Sequence, residues 1–111
     1  MLTVTFNNQD YFEGMYNKHQ KPFTVDNVSS LQIYGNEKKF VNGNMYIFAN
    51  DSKMASARIN MPLLLFCGIK KAAEKAFNDP ENDYTIIINC IKSIWTVNFE
   101  KDKVLVKDIA A

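Results

Sequence analysis

The sequence predicts a single α+β domain in which an antiparallel sheet packs against one long helix and one short one. Three observations carry the prediction. The chain has 111 residues, the commonest size for one compact domain. Runs with apolar residues at every second position open the chain and fill its last third. Between them, residues 61–78 repeat apolar residues at three- and four-residue spacing, the period of a helix with one buried face. A hydrophobic content of 47% is enough for a core and excludes a disordered chain.

Each element has its own warrant. Leu2, Val4 and Phe6 alternate with Thr3 and Thr5, a half-buried strand. Asp10 followed by Glu13 has capping-box spacing and predicts a short helix over about 10–20, with Phe12, Met15, Tyr16 and His19 on one face. Pro22 ends that segment by disfavouring helical geometry at Lys21. Leu31 and Ile33 alternate with Gln32 and Tyr34, and Gly35-Asn36 follows as a turn. Phe40-Val41 and Met45–Phe48 read as the arms of a hairpin turned at Asn42-Gly43, a pair suited to a type I′ turn. Residues 49–60 are small and polar and read as mostly loop, with room for an extended piece around Ala57 and Ile59. Asn60 and Pro62 start the long helix as cap and first-turn proline, and Asn78-Asp79-Pro80 stops it. Its first two turns, Leu63–Ile69, are apolar nearly all round, which predicts burial on several sides. Tyr84–Cys90, Ile94–Phe99 and Val104–Ile109 are β-rich runs joined by short turns, which predicts a three-stranded meander.

Charge bounds the function. Twelve lysines and one arginine, Arg58, face twelve acids, and neither half of the chain is a basic arm. Nucleic-acid binders commonly gather cations on one face, so the overall balance argues against that class. The N-terminus lacks the basic start and apolar stretch of a secretory signal, and the longest apolar run, Met61–Ile69, is half a membrane span. The expectation is a cytoplasmic protein with two free thiols, Cys67 and Cys90.

No catalytic set emerges. Cys67, near a helix start, is the best-placed nucleophile, and His19 is the sole histidine. Leu64, Leu65, Phe66 and Ile69 around Cys67 favour a core thiol instead. Zinc spacing is absent, no glycine cluster suits a phosphate, and Asp79, Glu81 and Asp83 lack the rest of a calcium loop, so no metal or cofactor is expected. Glu13, Glu37 and Glu74 could act as acid–base groups only if the fold brought two together.

Two features point to binding. Asp79-Pro80-Glu81-Asn82-Asp83 carries three acids and no cation, a loop that could meet a basic partner. Tyr11, Phe12, Tyr16 and Phe23 exceed what one short helix can bury. The leading expectation is a small protein that occludes another protein, such as a toxin-neutralising immunity protein, through Asp79, Glu81, Asp83, Tyr11 and Tyr16. The alternatives are a single-stranded nucleic-acid binder that stacks bases on Tyr34, Tyr46 and Phe48, or a small carboxylate enzyme. Trp95, flanked by Ile94 and Val97, reads as core.

Overall fold

A computed structural model describes residues 1–14, 20–36 and 38–101. The order of elements is β1 (Leu2–Asn8), β2 (Phe23–Val25), β3 (Ser30–Gly35), β4 (Phe40–Ala49), β5 (Ser52–Pro62), α1 (Leu63–Phe77), β6 (Tyr84–Ile91) and β7 (Ile94–Lys101). The α+β class is as expected, but the strands form two sheets. Four strands lie in the order β2-β1-β6-β7, and three in the order β3-β4-β5.

The expected all-antiparallel sheet is corrected at its centre. β1 runs parallel to β6, with Leu2 opposite Tyr84 and Asn8 opposite Cys90. Parallel neighbours need a crossover rather than a tight turn, and everything from β2 to α1 supplies it. Both strands keep strict alternation, one face buried in the core and the other half-buried. On the other face, Asn7 Nδ2 donates to Asn89 Oδ1 at 3.1 Å. The C-terminal meander is present as the β6–β7 hairpin, while its third run, Val104–Ile109, lies outside the described residues.

The second sheet corrects two further expectations. The extended piece around Ala57 and Ile59 runs through the whole of Ser52–Pro62, a strand of 11 residues where mostly loop was expected. Asn42-Gly43 sits inside β4, and the turn lies at Asn50-Asp51, whose φ angles of 51° and 60° suit a type I′ hairpin. Gly43 is needed for close approach: a Cβ there would stand 2.1 Å from the Tyr34 carbonyl oxygen across the strand pair.

The long helix matches the expected span to within a residue or two, but Asn60 belongs to β5 and caps nothing. Pro62 precedes the first helical residue, and the Leu63 amide donates to the Lys39 carbonyl at 3.1 Å. Phe66, Ile69, Ala72, Ala73 and Ala76 are buried at helical spacing. Burying Phe66 and Ile69 contributes about 1.5–3 kcal/mol each. The start of α1 is not enclosed all round, since Leu64 is 82% exposed.

The short N-terminal helix is not shown. Residues 10–14 are non-helical and Gly14 has φ +88°, while residues 15–19 lie outside the described residues. Asp10 does not cap a helix. Its carboxylate accepts the Lys92 amide at 2.5 Å and the Ser93 amide at 2.6 Å, fastening this segment to the β6–β7 turn. Phe12, placed on one face of the expected helix, is 66% exposed.

One apolar cluster joins the two sheets and the helix. Val4, Phe6, Ile86 and Ile88 come from the first sheet, Val41, Met45, Ile47 and Met61 from the second, and Phe66 and Ile69 from α1. The sheets are tied where the chain passes between them: Val28 donates to the Leu2 carbonyl at 2.8 Å, and Ser29 to the Phe48 carbonyl at 2.7 Å.

Candidate functional site

Register and alternation give the three-stranded sheet a core face and an outer face. Val41, Met45 and Ile47 point to the core, so Phe40, Asn42, Asn44, Tyr46 and Phe48 point outward. Directly paired residues share a face. Tyr34, Asn44 and Arg58 therefore form one outward row, Gln32, Tyr46 and Ser56 the next, and Ser30, Phe48 and Lys53 a third. A bulge beside Phe48 leaves Met54 as the extra residue and brings Lys53 into that third row.

These rows join the three aromatic residues singled out for base stacking. The Tyr34 and Tyr46 rings lie 6.0 Å apart, tilted by 59°. Lys53 Nζ stands 5.6 Å from the Tyr46 ring centre, a cation–π contact. The Tyr34 hydroxyl donates to Gln32 Oε1 at 3.1 Å. Tyr34 is 58% exposed, whereas Tyr46 and Phe48 are half-buried. Two cations, Lys53 and Arg58, and no acid occupy the three rows.

At the Phe40 end, this face opens into a cleft of about 860 Å³. The β4–β5 hairpin contributes Phe40, Asn42, Asn44, Arg58 and Asn60, while the first sheet contributes Phe6, Asn8, Cys90 and Trp95. Gln20 and Lys21 close one side and Ser93 another. Asn8 is buried, and both ends of its amide are used: Nδ2 donates to the Gln20 carbonyl at 2.9 Å, and Oδ1 accepts the Asp10 amide at 3.0 Å. Asn8 thereby holds the Gln20-Lys21 backbone against the cleft. Among the described residues, no carboxylate lines it.

Cys90 is buried in this wall, and its thiol donates to Asp10 Oδ2 at 3.5 Å. Burial, reinforced by the Asp10 carboxylate, pushes its pKa up to about 11, so the group is a neutral thiol near pH 7. That suits a wall rather than a nucleophile. Cys67 is half-buried on α1, and both cysteines are free. His19 and Glu37 lie outside the described residues. Glu13 and Glu74 are exposed and neither lines the cleft. Trp95 is part of the core fringe, 5.9 Å from Phe6, and also lines the cleft.

The acidic loop spends two of its three acids within the chain. The Tyr84 hydroxyl donates to Asp79 at 2.5 Å, and Asn82 Nδ2 lies 2.9 Å from both Asp79 oxygens. The Tyr84 and Asn82 bonds hold the Asp79 carboxyl below the usual carboxylate range. Asp83 pairs with the Met1 ammonium at 3.3 Å, and Glu81 is exposed. Tyr11 is half-buried, and Tyr16 lies outside the described residues.

The sequence reading missed the cleft. Its signal was the alternation of Ser56, Arg58 and Asn60 with Ala57, Ile59 and Met61, obscured because alanine and serine are weak markers of a strand. Among the described residues, no three His, Cys, Asp or Glu gather as a metal site, and no helix is long and apolar enough to cross a membrane. No protein-family model matches the chain, and neither the curated proteins nor the solved structures contain a match.

Proposed function

We propose that this protein is a binding module that lays a single-stranded nucleic acid across the outer face of β3-β4-β5. The observation that carries the reading is the acid-free set of rows holding Tyr34, Tyr46, Phe48, Lys53 and Arg58. Aromatic faces stack any base, and flanking cations follow the backbone. Phe40 to Phe48 covers eight strand steps, about 26 Å, room for a short single-stranded segment. Near-neutral net charge and only two cations in the three rows make stacking the larger part of the affinity.

The test is fluorescence anisotropy with a labelled mixed-sequence oligonucleotide. If Lys21, Lys53 and Arg58 each meet a phosphate, log K falls with log salt at a slope of about −2. Tyr46→Ala removes a stacking surface worth about 1–3 kcal/mol, roughly 5- to 150-fold in affinity. Absence of binding at low salt, or full affinity in a Tyr34→Ala/Tyr46→Ala variant, overturns the reading.

A second reading, occlusion of another protein such as a toxin, draws on a different surface. Phe12 and Ile94 are each 66% exposed, and they lie on two segments that Asp10 fastens together. In that reading Tyr11 and Tyr16 belong to the same contact, and Glu81, with Asp79 and Asp83, faces a basic partner. A one-to-one complex with a coexpressed protein, weakened by Phe12→Ser and Ile94→Ser, supports it. Unchanged affinity after replacing all three acids removes the loop from it.

A further inference from the structure

We infer that the cleft between the β4–β5 hairpin and the end of β1 and β6 is a pocket for a nucleoside phosphate, with Arg58 and Lys21 on the phosphate. The inference deepens the nucleic-acid reading, on which it rests for the identity of the occupant.

Size is the first argument. About 860 Å³ falls within the range of small-molecule sites and admits a nucleotide. Charge is the second. The chain's one arginine lines this cleft together with Lys21, and no carboxylate does among the described residues. The ion pair shown among the described residues joins Met1 and Asp83, far along the chain from either cation. A planar guanidinium with five donors matches a phosphate in two-point fashion, and a lysine adds a point charge.

The polar lining is the third argument. Asn42, Asn44 and Asn60 bring amides, which both donate and accept, to one side. A nucleobase edge presents donors and acceptors side by side, and Asn pairs with adenine at two points. Phe40, half exposed, and Trp95 supply aromatic surfaces against which a base can stack. An apolar ligand would leave these amides unmet, and an acidic peptide would leave the aromatic surfaces unused. The Cys90 thiol is neutral, and the Asp10 carboxylate behind it is engaged by the Lys92 and Ser93 amides.

Continuity with the sheet face fixes how a strand would enter. Arg58 and Asn44 belong both to the Tyr34 row and to the cleft lining. A strand stacked on Tyr34 and Tyr46 therefore leads into the cleft, where its terminal nucleotide ends. The same chemistry would admit a free nucleotide.

Trp95 is the only tryptophan, so its emission reports the cleft directly. AMP and adenosine are titrated against the full chain, followed by short oligonucleotides carrying a 5′-phosphate, a 3′-phosphate or neither. Saturable quenching by AMP, at least tenfold weaker for adenosine, is expected. Arg58→Gln should weaken AMP at least tenfold and Lys21→Gln severalfold, with unchanged circular dichroism showing that both fold. Tighter binding of one phosphorylated oligonucleotide than of AMP identifies a strand end as the occupant, and equal binding identifies a free nucleotide. No Trp95 response to millimolar AMP, or equal response to AMP and adenosine, overturns the proposal. Oligonucleotide anisotropy that depends on Tyr46 while Trp95 stays silent refutes the pocket alone. Quenching by AMP without Tyr46-dependent oligonucleotide binding refutes the stacking face alone.

Discussion

Replacing Asp10 with alanine should destabilise the fold through a turn more than eighty residues away. The Asp10 carboxylate accepts the backbone amides of Lys92 and Ser93, whose φ angles of 50° and 61° are unfavourable for side-chain-bearing residues. Hydrogen bonds to a charged group contribute about 1.5–3 kcal/mol each when shielded. Both amides are near the surface and recover water when the carboxylate is removed, so the two bonds together are worth about 2 kcal/mol rather than the full sum. For a chain of this length, that is a fall in Tm of about 8 °C. Asp10→Asn keeps one acceptor oxygen and should cost about half as much.

Thermal melting followed by far-UV circular dichroism measures the shift, and Trp95 emission reports whether the neighbouring cleft loosens. Glu13→Ala is the decisive control. If Asp10 and Glu13 formed a capping box, both substitutions would cost about 1 kcal/mol. If Asp10 clamps the turn, Glu13→Ala leaves Tm unchanged, since Glu13 is exposed. A Tm within 2 °C of the parent for Asp10→Ala, or equal losses for the two variants, refutes the clamp.

Gly43→Ala should be among the most damaging single changes, lowering Tm by more than about 8 °C, because the new methyl meets the Tyr34 backbone rather than a side chain that can move. Stability should also decline at high pH. Cys90 has a raised pKa in the folded state, about 11 against 9.0, and the Asp79 bond raises that of Tyr84. Both groups favour the folded state fully below their unfolded pKa values, and that contribution is lost as pH climbs from about 9 upward; denaturant titrations at pH 8 and pH 10.5 measure the difference. Asp79 has the opposite sign. Its lowered pKa contributes stability above the unfolded value of 3.8, lost as pH falls through the folded value, and Asp79→Asn should flatten that acid limb. Cys90 should react with a thiol reagent more slowly than Cys67 at pH 8, as mass spectrometry of the partly labelled chain can read.

What the sequence made legible was local. β1 and β6 announce themselves because Leu2, Val4 and Phe6, like Ile86, Ile88 and Cys90, bury every second residue. α1 does so through Phe66, Ile69, Ala73 and Ala76. The parallel pairing of β1 with β6 was not legible, since periodicity says which face is buried and nothing about which strand lies alongside. Nor was the choice between two asparagine-led turns. Asn42-Gly43 has the better turn composition, yet turning at Asn50-Asp51 gives two strands of ten and eleven residues and buries Met45, Ile47, Ile59 and Met61 together. The burial gained outweighs the local preference of one dipeptide. Asp10 was misread for a related reason, because its carboxylate found acceptor work on amides contributed from the other end of the chain.

The same distinction between local and global explains how charge misleads. A count over 111 residues gives +1 and a single arginine, an argument against nucleic acid. Folding distributes that charge unevenly. Asp79 and Asp83 are tied up beside Tyr84 and the Met1 ammonium, while Lys53, Arg58 and Lys21 fall on the outer sheet face and its cleft, with no acid among the described residues of either lining. A ligand at this surface meets two or three cations, whatever the chain's sum. Such a site gains little long-range steering, because charges separated by more than about 8–10 Å are screened at ordinary salt. Its selectivity must come from contact: rings at Tyr34 and Tyr46, and amides at Asn42, Asn44 and Asn60. A shallow salt dependence combined with a large Tyr46→Ala effect is therefore the signature that separates this arrangement from a basic groove, which would show the reverse.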